Sequence, residues 1–144
     1  MVYRAIFFDR DGTLTYANPA KLQWRDRTIA AWSGHDFSLP YDKMMHLFKL
    51  AADGRTPWYR SLDDERAFTQ RFYRHLLIGE GVARDLESRA KILFTELWCN
   101  NDRLLYPDVL PVLDFFKSGG YMMGVISDTS PSLELSLRQL GIAG

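Results

Sequence analysis

At 144 residues the chain has room for one domain with a real core, and an apolar content of 47% excludes a disordered, highly polar polypeptide. Lysine plus arginine balances aspartate plus glutamate at 18 each, so the basic excess that selects nucleic acid or an anionic membrane is missing. A single cysteine, Cys99, excludes an internal disulfide framework and suits a reducing compartment.

Residues 2–8 form a short apolar, β-branched and aromatic run interrupted only by Arg4, which predicts a strand buried on both faces of a parallel sheet. It ends abruptly at Asp9-Arg10-Asp11-Gly12. These first residues lack the basic region and apolar run of an export signal, and no apolar stretch is long enough to span a bilayer. A cytoplasmic protein without membrane or nucleic-acid partners is therefore expected. Next comes helical patterning. Tyr41, Met44, Met45, Phe48 and Ala51 share a face between Pro40 and Gly54. Ser61 and Asp64 have the spacing of a capping box that opens a helix burying Phe68, Phe72 and Leu76. After Gly79-Glu80-Gly81, a helix is expected to carry Val82, Leu86, Ala90, Leu93 and Leu97, with Cys99 read as a small buried hydrophobe just beyond it. Residues 108–117 predict a further helix closed by Gly119. Residues 121–126 repeat the buried-strand pattern and end at Ser127-Asp128. Ser130-Pro131 then reads as the cap and first turn of a helix ending at Gly141.

This order predicts an α/β fold in which two parallel strands are separated by a long helical insertion. The sheet portion would comprise residues 1–16 and 100–144, and the insertion residues 17–99. Two strands are too few for a buried parallel sheet, so the sheet is expected to be incomplete.

Open parallel sheets bind ligands beyond the carboxyl ends of their strands. Two carboxylates delivered there by an apolar strand need a cation, an ion pair or hydrogen bonds to be tolerated. A hard divalent ion such as Mg²⁺ suits an all-oxygen site, and Gly12 permits the tight turn that brings amides towards an anion. Ser127-Asp128 ends the second strand in the same way.

The segment Asp9-Arg10-Asp11-Gly12-Thr13-Leu14 after an N-terminal strand resembles the first motif of the haloacid dehalogenase-like hydrolases. Tyr106-Pro107-Asp108-Val109, Gly119-Gly120-Tyr121 and Val125-Ile126-Ser127-Asp128 resemble that family's second-motif region. The resemblance implies a Rossmann-like sheet with an inserted helical cap, and a Mg²⁺-dependent phosphohydrolase acting on a small phosphorylated metabolite. It makes Asp9 the nucleophile and a metal ligand. Asp11 becomes the acid that protonates the leaving group and the base that activates water, its main-chain carbonyl also binding metal. Ser127 becomes a donor to a phosphoryl oxygen. Aspartate at position 11 favours phosphate esters, because the dehalogenases carry tyrosine there and the phosphonatases alanine. Of Arg10 only the main-chain amide is expected to matter, Thr13 reads as a turn residue, and Asp128 is divided between helix capping and the site's edge.

Within the insertion, Lys21, Arg25, Arg27, His35, Arg55 and Arg60 are the polar candidates for substrate contact, though solvated helix faces describe them better. Trp24, Trp32 and Trp58 could wall a pocket, with core packing the commoner role. His46 and His75 lack metal-ligand spacing and read as structural. The resemblance also implies a later lysine and an acidic pair that the 144 residues do not contain, so this polypeptide is expected to be inactive or impaired. The alternative is a non-catalytic binding or regulatory protein that dimerises through its incomplete sheet. A response-regulator receiver would space its strands regularly, and a glycosyltransferase would not place Asp-x-Asp at the first strand's end.

Overall fold

The computed structural model describes residues 4–99, 102–127 and 131–143. Its elements are β1 (Ala5–Asp9), β2 (Thr15–Ala17), α1 (Pro19–Ser33), α2 (Tyr41–Ala52), α3 (Leu62–Gly79) and α4 (Leu86–Phe94), which runs into a π-helical turn at Thr95–Cys99. There follow β3 (Arg103–Leu105), α5 (Val109–Ser118), β4 (Met122–Ile126) and α6 (Leu133–Gln139). The α/β class and the strand–insertion–helix–strand–helix order are as the sequence predicts.

β1 and β4 pair in parallel, with Ala5 opposite Met122 and Asp9 opposite Ile126. Both strands therefore end at the same level. On one face Phe8 packs on Phe116 of α5 with ring centroids 6.0 Å apart. The expectation of a strand buried on both faces is corrected. Phe7 is 63% exposed, Ile126 62%, and Phe115 of α5 71%. Each described strand has one neighbour, and among the described residues no layer covers the Phe7 side, so a continuous apolar sequence here produces an apolar surface.

A second pairing escaped the sequence: β2 runs antiparallel to β3, with Thr15 opposite Leu105 and Ala17 opposite Arg103. The ribbon is extended by Tyr106 N–H to the Leu14 carbonyl (3.1 Å) and Asn18 N–H to the Asp102 carbonyl (2.8 Å). The Tyr16 and Tyr106 rings meet at 5.0 Å. Strands of three residues are too short to show a period. Their effect is to bring the entrance and exit of the helical insertion side by side.

The hydrophobic core lies within that insertion, around Ile29, Leu47, Ala51, Phe68, Leu76, Leu77 and Leu93. Aromatic packing joins α2 to α3, with Phe48 5.0 Å from Phe72 and Trp58 stacked on Phe68 at 5.9 Å. α1, not anticipated from its weak amphipathic pattern, is fixed by its ends. The Asn18 side chain accepts from Ala20 N–H (3.1 Å), Pro19 occupies the first turn, and Gly34 closes it at φ +80°. At α3, Ser61 Oγ accepts from Asp64 N–H (3.1 Å), as the capping pattern predicts. α4 begins later than expected, after Asp85 at φ +52°, and its last turn widens into the π-helical segment that holds Trp98. α6 begins at Leu133; the expected cap Ser130, like Asp128 and the Cys99 side chain, lies outside the described residues. No helix among the described residues is long and apolar enough to cross a membrane.

Candidate active site

Two strand ends and one turn assemble the site. Asp9 closes β1 as an exposed residue, and Ser127, half-buried, follows Ile126, the residue paired with Asp9. The parallel register thus brings the predicted nucleophile and the predicted phosphate donor to one edge of the sheet. Beyond Asp9 the chain turns tightly. Leu14 and Thr15 N–H both donate to the Arg10 carbonyl (3.0 and 2.9 Å), and Gly12 N–H donates to the Thr15 carbonyl (2.9 Å). Gly12 takes φ +79°, a conformation that a side chain would strain. Leu14 and Thr15 are buried and pin the turn, while Thr13 is exposed within it.

Asp11 is turned inward and heavily engaged. Arg10 forks onto its carboxylate, Nε to Oδ1 at 3.2 Å and Nη2 to Oδ2 at 3.0 Å. Thr15 Oγ1 donates to Oδ1 at 3.2 Å, and Arg103 Nη1 lies 3.0 Å from Oδ1. The expectation that only the Arg10 amide matters is therefore corrected: its side chain is buried and forms half of a clamp. Arg103 gave no signal in sequence, because the β2–β3 ribbon alone carries it to Asp11. Burial pushes the Asp11 carboxyl upward, but the Arg10 hydrogen bonds and charge, the Arg103 charge and the Thr15 hydroxyl outweigh it, so the group is held below its ordinary 3.8. At Asp102, burial wins over the neighbouring arginines and the carboxyl is raised.

A depressed carboxyl stabilises the fold above its ordinary value, and that contribution is lost as pH falls through the lowered folded value. Removing Arg103 should weaken this dependence. The drop in melting temperature between neutral and strongly acid solution is expected to be smaller in Arg103→Ala than in the parent. An equal drop in both would show that the Arg103–Asp11 pair does not set it.

Arg10, Asp11, Asp102 and Arg103 form the polar end of a cavity of about 480 Å³ between the sheet end, the inserted helices and α6. Asp9 and Ser127 lie outside its walls. Of the polar candidates in the insertion, Lys21 and Arg25 reach this cavity, where Lys21 pairs with Glu96 (2.8 Å) and Arg25 with Asp26 (2.8 Å). Arg27, His35, Arg55 and Arg60 are not among its walls. Trp24 and Trp32 line a separate groove along α1, and Trp58 packs against Phe48 and Phe68. The tryptophan that does reach the cavity is Trp98, whose Nε1 donates to Glu65 (3.0 Å). Glu65, buried in α3, also accepts from Ser132 N–H (2.8 Å) and Ser132 Oγ (2.7 Å), tying the insertion to the start of α6. Burial raises the phenol of Tyr73, on the same wall, far above its ordinary value.

Among the described residues no three His, Cys, Asp or Glu side chains gather into a metal-binding group. The Asp11 carboxylate is taken by guanidinium groups, which leaves the Asp9 carboxylate and main-chain oxygens of the turn. An oxygen-only set this small fits Mg²⁺, which takes few protein ligands and completes its shell with water and substrate oxygens; it does not form a closed protein cage.

Residues 3–144 match the family described as haloacid dehalogenase-like hydrolase. No curated protein matches the chain. Among solved structures, a predicted phosphoglycolate phosphatase from Haemophilus somnus 129pt is similar, at 20% identity and a TM-score of 0.46 over 98% of this chain. The chain spans 59% of the length of that protein.

Proposed function

The chain belongs to the haloacid dehalogenase-like hydrolases, and from that premise we propose that it is built to hydrolyse phosphate esters through an aspartyl-phosphate on Asp9. The observation that carries the reading is the shared level of Asp9 and Ser127 at the ends of paired parallel strands, with Asp11 two residues on facing the cavity. An Asp9 carboxylate oxygen attacks phosphorus, the bond to the alcohol oxygen breaks, and Asp11 delivers the proton that oxygen needs. Water then attacks the aspartyl-phosphate while Asp11 takes its proton, releasing inorganic phosphate and restoring Asp9. The Ser127 hydroxyl donates to a phosphoryl oxygen as charge develops. Asp9 and the Asp11 main-chain carbonyl would hold Mg²⁺, which when bound supplies positive charge against the phosphoryl oxygens. The inserted helices would act as a cap that keeps water from the reacting group.

The clamp on Asp11 bears on the first step. A carboxylate held ionised by two arginines seldom carries the proton an acid must deliver and is also weakened as a base. Turnover by this polypeptide is therefore impaired for alkyl esters, whose alkoxides need a proton, and least impaired for aryl esters, whose phenolates do not. The test is the loss of aryl phosphate turnover in Asp9→Asn.

One observation favours a second reading, a binding protein that pairs with a second copy of itself. Phe7, Met122 and Ile126 form an exposed apolar face on a two-stranded sheet, the kind of edge and surface that another chain covers. On this reading the chain sediments as a dimer at micromolar concentration, and Phe7→Asp returns it to a monomer. A parent chain monomeric throughout would end it.

A further inference from the structure

The walls of the cavity carry information about the alcohol that the reaction would release. Its polar end is the Arg10–Asp11–Arg103 clamp. From there the lining is mixed, with Phe48, Phe68, Phe72 and Trp98 of α2, α3 and the π-helical turn standing among polar side chains such as Glu65, Thr69 and Gln139. Leu22 of α1 and Leu135 of α6 bring apolar groups from two further helices. On the phosphohydrolase reading, which this step rests on, Asp11 serves the leaving-group oxygen. A cavity that meets the sheet at Asp11 and leaves Asp9 outside its walls is placed on the alcohol side of the phosphorus.

We propose that this cavity receives the alcohol portion of a phosphate monoester bearing an aromatic or extended apolar group. At about 480 Å³ it falls within the range of sites that enclose such bodies, and the half-buried rings of Phe48 and Trp98 stand on its wall. Lys21 and Arg25 do not make the interior a second anion site, because each is paired with a neighbouring carboxylate.

Binding of two non-hydrolysable probes tests this without turnover. Naphthylmethylphosphonate and methylphosphonate share the phosphoryl group and differ in the apolar body. Titrated calorimetrically into the full chain with Mg²⁺, the naphthyl compound is expected to bind at least about tenfold tighter, the factor that burying one ring supplies. Leu22→Asp, at a position already exposed and checked for an unchanged melting temperature, is expected to erase most of that preference. Equal affinities for the two probes would overturn the proposal and leave the phosphohydrolase reading standing. No binding of either probe would overturn both. A naphthyl preference that survives in Leu22→Asp and in Leu135→Asp would place the ring elsewhere and overturn the proposal as well.

Discussion

Replacing Asp9 by asparagine is expected to lower aryl phosphate turnover by about a thousandfold or more. The amide has nearly the same shape, so the strand end and its pairing with Ile126 stay as they are. What is lost is the negatively charged oxygen that would attack phosphorus and the carboxylate that would hold Mg²⁺. Asp9 is exposed at its strand end, which makes a folding effect a poor explanation for any loss of rate. The measurement is release of 4-nitrophenol in the presence of Mg²⁺, with parent and variant matched for melting temperature. Turnover retained in Asp9→Asn would assign the reaction to another residue or to a contaminant.

Leu76→Ala and Leu93→Ala are each expected to destabilise the chain by about 3 kcal/mol, whereas Phe115→Ala should cost less than about 1 kcal/mol. The ranking opposes side-chain size, since phenylalanine buries more surface than leucine when both are enclosed. Leu76 and Leu93 are fully buried between α3 and α4, so truncation removes packed methyl groups and leaves a cavity. Phe115 is turned outward from α5 and gives up little. Urea unfolding of the three variants checks the ranking. A larger loss at Phe115 than at Leu76 would mean that in solution the sheet face is covered and that stability is centred there.

How much of this was legible in the sequence depended on the range of the signal. The strand ends and the turn that carry Asp9, Asp11 and Ser127 could be placed because an apolar run, its abrupt end and a glycine turn are all local. α2, α3 and α5 could be placed because each carries enough turns to show a period. α1 carried its marks only at its ends, Asn18-Pro19 and Gly34, while its face showed no clear stripe. β2 and β3 were hidden by their length, and with them Arg103, whose approach to Asp11 depends on a pairing between residues nearly ninety positions apart. Arg10 was misread for a related reason: a charged side chain beside a strand-end carboxylate looks like a solvated one until its neighbours are known. The exposure of Phe7 and Ile126 was illegible because a buried strand and an uncovered one have the same apolar sequence.

The central claim is that Asp9 is a carboxylate positioned to take a phosphoryl group. Beryllofluoride tests it most directly, because it binds an aspartate oxygen as a tetrahedral mimic of the aspartyl-phosphate and requires no turnover. With Mg²⁺ and beryllofluoride, fluorine NMR of the chain is expected to show bound resonances that vanish in Asp9→Asn. Bound resonances that persist in that variant, or none in the parent chain, would contradict the account.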